Sequence, residues 1–329
     1  MARGARFLGA EYAIMGGAMT WVSERNLVSA LSNAGAFGVL ACGAMEPDRL
    51  AEEIAATRAL TARPFGVNLI TLHPKLEALV DVCLAGEVPI IVFAGGVPPA
   101  PAIKRAKEGG ARVVCFAPSL ALARRLVRLG ADALIIEGSE AGGHIGPVSL
   151  NVLAQEILPH MTEVPVFVAG GIGRGEAMLC YLEMGAAGVQ LGTRFVCATE
   201  SIAHPRFKQA FIRASARDAL PSVQLDERFP VIPVRAIVNE GSRRFLAHQA
   251  EVIRRFQAGE ITREEAQLAI EHFWAGALRR AVLEGDVEYG SLMAGQSVGM
   301  VTREQPAAEI IAELIAQAEA ALAARYQAV

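Results

Sequence analysis

One histidine of this sequence has surroundings suited to catalysis. His144 lies in the stretch Ala141-Gly142-Gly143-His144-Ile145-Gly146, shortly after an apolar run. An imidazole exchanges a proton near neutral pH and also donates hydrogen bonds to substrate oxygens. The alternative to a catalytic role is a loop histidine that is hydrogen-bonded to the backbone. The other histidines have neither this context nor metal-ligand spacing, so no metal site is expected; they are His73, His160, His204, His248 and His272.

Two glycine clusters have the pattern of a phosphate site. Gly170-Gly171-Ile172-Gly173-Arg174-Gly175 follows one apolar run, and Gly192-Thr193-Arg194 follows the next. Glycines let the backbone approach a phosphate closely, and N–H groups at a helix start face the anion. One such loop is typical of any tight turn, but two in succession favour a phosphorylated ligand. A Rossmann site does not fit, because the glycine spacing is wrong and no ribose-binding acid follows a first strand.

The elements that must position these loops alternate between short apolar runs and helical patterns. Eight runs are continuously apolar, which is typical of parallel strands buried on both faces. Eight strand-helix units predict an α/β fold of the (β/α)8 TIM barrel type, whose seventh and eighth loops form the usual phosphate site. A doubly wound open sheet is the competing architecture. The eight predicted strands are residues 12–15, 38–40, 65–69, 90–93, 113–116, 133–136, 166–169 and 189–191.

Several helix ends can also be predicted. Ser23 is placed to cap one helix, and a second begins at Ser119 and ends at Gly130. A third helix is expected from about residue 175 to residue 184. Thr262 stands three residues before a glutamate, which predicts a capping box for a helix over residues 262–283.

The strand-helix rhythm ends after the eighth strand. We therefore expect residues 1–197 to form the barrel, and residues 198–285 to form a cap or substrate domain built only of helices, such as one over 245–257. Residues 286–329 would provide a glycine-rich loop and an Ala-rich helix over 307–324 that returns to the barrel. The fold class is thus a TIM barrel with a helical cap inserted after the eighth strand.

Composition excludes several functions. The formal net charge of -3 and the pI near 6.1 argue against a nucleic-acid binder. No uncharged stretch is suited to span a membrane, and no export signal follows the N-terminus. The five scattered cysteines contain no C-x-x-C, which fits buried thiols in a reducing compartment better than disulfides. We expect a cytoplasmic protein, and a homodimer is compatible with the sequence.

These motifs together resemble the family that contains nitronate monooxygenases and flavin-type (type II) enoyl-acyl carrier protein reductases. The resemblance covers nearly the whole chain, and the number and order of its motifs make it specific. The shared segments are residues 14–22, 64–68, 140–146, 169–172 and 189–195. Two further segments resemble the reductase branch in particular, namely Pro233-Val234-Arg235-Ala236-Ile237 and residues 285–296.

The resemblance implies an FMN cofactor in the barrel and a catalytic role for His144. By motif position, the phosphate would be held by Gly170, Gly171, Gly192 and Thr193. The other implied cofactor contacts, around the ribityl chain and ring, are Gly17, Met19, Asn68, Glu137, Gly143, Met293, Ala294 and Gln296. One loop, residues 94–99, departs from the pattern: it carries two prolines and lacks the Gly-Asn-Pro of the reductases. That departure leaves the identity of the substrate open.

The leading hypothesis is reduction of an enoyl thioester, with NADH or NADPH as co-substrate. The alternatives are a nitronate monooxygenase that oxidises alkyl nitronates with O2, an NAD(P)H:quinone or generic flavin reductase, and a flavin-binding barrel without catalysis. An acyl carrier protein is a candidate partner. Such a partner is acidic and needs a basic docking face. The candidates for that face, which could equally be solvated helix residues, are Arg243, Arg244, Arg254 and Arg255.

Overall fold

The eight expected strands form a closed parallel barrel. The computed structural model describes residues 1–43 and 45–327. The strands that begin at residues 14, 188, 166, 133, 112, 90, 66 and 39 are hydrogen-bonded neighbours in that order, and a parallel bridge between Met15 and Phe37 closes the circle. This closure excludes the open sheet. The strands in the described residues are β1 (Ile14–Gly16), β2 (Val39–Ala41), β3 (Gly66–Ile70), β4 (Ile90–Ala94), β5 (Arg112–Phe116), β6 (Ala133–Glu137), β7 (Gly143–His144), β8 (Val166–Ala169), β9 (Gly188–Leu191), β10 (Ala219–Pro221) and β11 (Val234–Ile237).

Helices connect the barrel strands and continue beyond them. Short 3-10 turns cover Leu158–His160, Ala216–Asp218 and Gln296–Met300, and a π-helical turn covers Arg280–Glu284. The expected C-terminal helix is present and packs against the helix over Gly175–Glu183. The α-helices of the described chain are α1 (Ala2–Leu8), α2 (Arg25–Asn33), α3 (Pro47–Leu60), α4 (Leu76–Ala85), α5 (Ala100–Glu108), α6 (Leu120–Leu129), α7 (Leu150–Ile157), α8 (Gly175–Glu183), α9 (Thr193–Val196), α10 (Pro205–Arg213), α11 (Glu240–Gln257), α12 (Arg263–His272), α13 (Ala277–Arg279) and α14 (Ala307–Gln327).

Alternate side chains of the barrel strands fill two separate cores. One set, which includes Met15, Val92 and Phe167, packs inside the barrel and is fully buried, and the other set packs under the surrounding helices. The N-terminal end of the barrel is closed by α1, whose Phe7 ring lies 6.1 Å from the ring of Phe167. Because that end is filled, the open space of the barrel lies at the C-terminal ends of its strands.

The predicted helix ends are partly confirmed. Ser119 caps α6 by accepting a hydrogen bond from the Leu122 N–H, and the helix ends at Gly130 in the left-handed conformation. The capping box of Thr262 and Glu265 is also present. These signals are local, because each needs only a side chain and the backbone one turn away, and a single sequence can therefore show them.

Two helix predictions are wrong. Glu24, not Ser23, caps α2, because the Ser23 hydroxyl is already engaged by the Gly17 carbonyl and the Met19 N–H. The helix expected over residues 262–283 is interrupted, since α12 ends at His272 and Gly276 adopts the left-handed conformation with φ +69° before α13 begins.

The segment after the eighth strand is not purely helical. It contributes β10 and β11, which pair antiparallel with each other and, through β11, with β7 in the loop after β6. The helices of this segment have a core of their own around Phe229, Phe245 and Ile270. The small sheet therefore ties the cap to the loop that contains His144. The boundaries of the three predicted domains stay a prediction.

The cysteines agree in part with the expectation of buried thiols. Cys42, Cys83, Cys115 and Cys197 are buried, whereas Cys180 on α8 is exposed, and all five are free. Across residues 1–43 and 45–327, none of the helices combines the length and the apolar character needed to cross a membrane.

Candidate active site

A cavity of about 570 Å³ opens at the C-terminal ends of the barrel strands. Its lining includes Val97 from the loop after β4 and Phe116 at the end of β5. Leu278 and Val282 reach it from the cap. The barrel and the cap therefore enclose the same space, at the end of the barrel where this fold places its active sites.

Most of the predicted site residues line this one cavity. Ala294 and Gln296 do not line it, although their neighbours Gly295 and Ser297 do. The Gln296 N–H instead donates to the Glu140 carbonyl at 2.9 Å. The predicted residues that line the cavity are Gly17, Met19, Asn68, Glu137, Gly143, His144, Gly170, Gly171, Gly192, Thr193 and Met293.

The glycine loops after β8 and β9 present free backbone donors to the cavity. Gly170 and Gly171 have φ of +95° and +71°, in the left-handed region that glycine tolerates without strain. The N–H groups of Gly170, Gly171 and Gly192 donate no hydrogen bond to any part of the chain that the structure describes. Backbone donors without partners at the end of a barrel form a site for an anionic group such as a phosphate.

The loop after β6 lies directly against the glycine-rich segment near the C-terminus. A Cβ atom on Gly142 would lie 2.5 Å from the Gly295 nitrogen, so only glycine fits there. The Gly295 N–H donates to the Thr193 hydroxyl at 2.9 Å. The segment around Gly295 therefore joins the His144 loop to the loop after β9.

Three polar side chains form the inner part of the cavity wall. They are Asn68, Glu137 and Gln190, which point inward from β3, β6 and β9. Asn68 donates to the Val92 carbonyl at 3.2 Å. The sequence interpretation missed Gln190, although a polar residue in the apolar run of β9 was a usable signal.

The environment of Glu137 favours the neutral carboxyl group over the carboxylate. Its carboxyl group makes no hydrogen bond within the described residues, and burial raises its pKa to about 8. The part of the side chain that remains open faces the cavity. A protonated carboxyl group can donate a hydrogen bond, and it does not repel an anionic ligand.

His144 lies at the rim of the cavity on β7, opposite Val234 of β11. The ring is exposed, and it makes no hydrogen bond to the described residues, unlike a loop histidine held by the backbone. Neighbouring protein atoms remove part of its hydration and lower its pKa. A neutral imidazole with free nitrogens is therefore available to a ligand in the cavity.

The positive charges of the arginines predicted as a docking face are balanced by neighbouring groups. All four form ion pairs with acidic residues of the cap, and Arg244 also lies 4.2 Å from the centre of the Tyr289 ring. Such pairs reduce the field that would attract an acidic partner. The pairs are Arg243 and Arg244 with Glu240, Arg254 with Glu251 and Arg255 with Glu260. Docking on this face stays a prediction.

Comparison with known proteins identifies the family. Residues 3–81 and 75–317 match the sequence model described as nitronate monooxygenase. The chain belongs to the nitronate monooxygenase family. It is an oxidoreductase, as the sequence predicted.

Known relatives share this barrel but are named for different reactions. The structure of FabK from Thermotoga maritima is 35% identical, covers 99% of both chains and superposes with a TM-score of 0.89. Nitroalkane oxidase from Streptomyces ansochromogenes is 28% identical, covers 97% of this chain and 99% of its own, and has a TM-score of 0.80.

A relative from Mycobacterium tuberculosis is named (3aS,4S,5R,7aS)-5-hydroxy-7a-methyl-1-oxo-octahydro-1H-indene-4-carboxyl-CoA dehydrogenase. It is 37% identical over 224 residues, which are 67% of this chain and 62% of the relative. The chain thus spans less than two thirds of that protein's length. Family membership by itself therefore leaves the reaction open.

Proposed function

We propose that this protein is an FMN-dependent oxidoreductase that reduces an enoyl thioester with NADH or NADPH. One observation supports this choice over the alternatives. The segment that resembles the reductases, residues 233–237, includes β11, which pairs with the strand of His144 and bridges to Met293 through Ala236. The reductase-like part of the sequence thus lies beside the candidate catalytic residue. The Mycobacterium tuberculosis relative, whose name includes a carboxyl-CoA, adds support for a thioester.

The cavity fits an FMN group. The unpartnered N–H groups of Gly170, Gly171 and Gly192, together with Thr193, would hold the phosphate. The ribityl chain and ring would contact Gly17, Met19, Asn68, Glu137, Gly143 and the segment around Met293. When bound, FMN supplies hydride transfer between a nicotinamide and the substrate.

His144 would act on the carbonyl end of the substrate. As the double bond is reduced, negative charge develops on the thioester oxygen, and an imidazole N–H stabilises that charge and can deliver a proton. The apolar side chains of Val97, Phe116, Leu278 and Val282 keep water away from the reacting carbons. A substrate that displaces water from the rim would strengthen the hydrogen bond from His144.

A nitronate monooxygenase is the second candidate, and the loop after β4 favours it. This loop, residues 94–99, lacks the Gly-Asn-Pro of the reductases and instead places Gly95 and Gly96 in the left-handed region at the cavity wall. In that reaction His144 would orient an anionic nitronate, and the protonated Glu137 would not repel it.

Anaerobic mixing of the purified holoprotein with NADH, NADPH and an alkyl nitronate separates the two reactions. Rapid bleaching of the flavin absorbance by a pyridine nucleotide, with no bleaching by the nitronate, supports the reductase. Bleaching by the nitronate alone refutes the reductase and supports the second candidate.

The role of His144 is tested with a matched pair of histidine variants. We expect His144→Ala to retain the flavin spectrum and to lose turnover by roughly 100-fold or more, since general acid-base groups contribute about 10² to 10⁴. His160→Ala, which changes an exposed histidine in the turn after α7, should keep full turnover. Unchanged turnover in His144→Ala would remove His144 from the mechanism.

A further inference from the structure

Arg235 is a buried cation directly behind the candidate site. It lies on β11, is 7% exposed, and forms no ion pair within the described residues. Burial lowers the pKa of its guanidinium, with Glu140 as the nearby acidic group that acts in the opposite direction. A buried charge without a carboxylate partner is costly, so its hydrogen bonds must serve to retain it.

The contacts of Arg235 join separate parts of the site. Its Nε donates to the Ser139 carbonyl at 2.9 Å, in the loop between β6 and β7. Its Nη1 donates to the Ala219 carbonyl of β10 at 2.6 Å. Its own carbonyl accepts from the Ala294 N–H at 3.3 Å, and its backbone pairs with Gly143, next to His144.

The His144 loop depends on such contacts because it has few anchors of its own. Its strand β7 has two residues, and the glycines at 142 and 143 contribute no side chains. The Glu140 carboxylate anchors the first half of the loop by accepting from the Leu150 N–H at 2.9 Å. Two backbone bonds add to it, from the Gln296 N–H to the Glu140 carbonyl and from the Ser139 N–H to the Val148 carbonyl. Arg235 is thus the cationic side chain that ties this loop to the cap.

We propose that Arg235 is a positioning residue that sets the place of His144 at the rim of the cavity. The proposal rests on the proposed function in so far as His144 acts on the substrate. The planar guanidinium bridges two carbonyls that point from different elements, which the single ammonium of a lysine cannot reproduce. Loss of this bridge would leave the loop and its histidine free to move outward into water.

The hydration of His144 provides a measurement that does not depend on turnover. Of the ionisable groups in this region, Glu137 lines the same cavity, Glu140 lies in the same loop and Arg235 lies on the paired strand. Partial burial lowers the pKa of His144 from its ordinary 6.5. If the loop loosens, that pKa must return upward.

The experiment is an NMR titration of holoprotein labelled at histidine, with the His144 signal identified by its loss in His144→Ala. In Arg235→Met we expect the pKa of His144 to rise toward 6.5. We also expect kcat to fall roughly 10- to 100-fold at a nearly constant KM, as for a misplaced catalytic group. Arg235→Lys should give intermediate values, and it keeps the test available if the methionine variant does not fold.

Arg112→Met is the matched control. Arg112 also donates to a backbone carbonyl, that of Phe7, but at the opposite end of the barrel. The Arg112→Met substitution should lower thermal stability and leave the pKa of His144 unchanged. An unchanged pKa in both Arg235 variants would overturn the proposal, whereas normal turnover of His144→Ala would refute only the role of His144 in the proposed reaction.

Discussion

Replacement of Glu137 by glutamine tests the electrostatics of the cavity. The side chain faces the cavity from β6, and burial raises its pKa from 4.5 to about 8. In the unfolded chain the group ionises near its ordinary pKa, so the folded protein binds one more proton between these two values. Stability is therefore fully present below pH 4.5 and is lost as the pH rises toward 8.

The size of this loss follows from the two pKa values. Each pH unit in the window costs about 1.4 kcal/mol, so a rise from about pH 5 to pH 7 costs at most about 2.5 kcal/mol. This is an upper bound, because part of the side chain faces the cavity and can be hydrated there. Glu137→Gln is nearly isosteric and has no proton to lose, so it should remove this pH dependence.

The measurement is urea unfolding of the cofactor-stripped protein at a series of pH values from about 5 to 8. The stability difference between Glu137→Gln and the unchanged protein should grow with pH, in favour of the variant. Glu163→Gln, at an exposed glutamate without a hydrogen bond in the described chain, should follow the unchanged protein throughout. A constant difference for Glu137→Gln across this range would show that Glu137 is ionised in the folded state and would refute the reasoning.

Three further substitutions test the contacts that shape the site. Gly142→Ala should lower the free energy of unfolding by about 2 kcal/mol, because the added Cβ would overlap the Gly295 nitrogen. The control Gly146→Ala, where a Cβ would meet nothing within 4 Å, should change the free energy of unfolding by less than about 0.5 kcal/mol. Thr193→Val should cost about 1 to 3 kcal/mol in urea unfolding by leaving the Gly295 N–H without its acceptor, and Thr193→Ser should restore most of it. Ser119→Ala should cost about 1 kcal/mol through the lost cap of α6, and an unchanged urea midpoint would contradict the capping geometry.

The barrel could be predicted because its signal is local. Each parallel strand is buried on both faces, so each appears as a continuous apolar run whatever its neighbours are. The strands β7, β10 and β11 give no such signal, since they are two to four residues long and lie partly exposed. Their pairing joins distant parts of the chain, and only the folded structure shows it.

The candidate site was predictable to a similar extent. Glycine clusters and His144 could be located because the end of a barrel strand is a known position in a regular fold. The inward direction of Gln190 was readable in principle from the alternation along β9. The role of Arg235 was not, because its partners Ser139 and Ala219 are carbonyl groups, which every residue has.

The helix that closes the barrel also constrains the order of folding. The backbone of α1 approaches the end of the barrel sequence so closely that a Cβ on Gly4 would lie 2.2 Å from the Ala187 carbonyl oxygen. During synthesis α1 leaves the ribosome before the barrel strands, yet its binding site is completed only when β9 has been made. The apolar face of α1 must therefore stay exposed for most of the synthesis of the barrel, and in that interval it is open to chaperones and to aggregation.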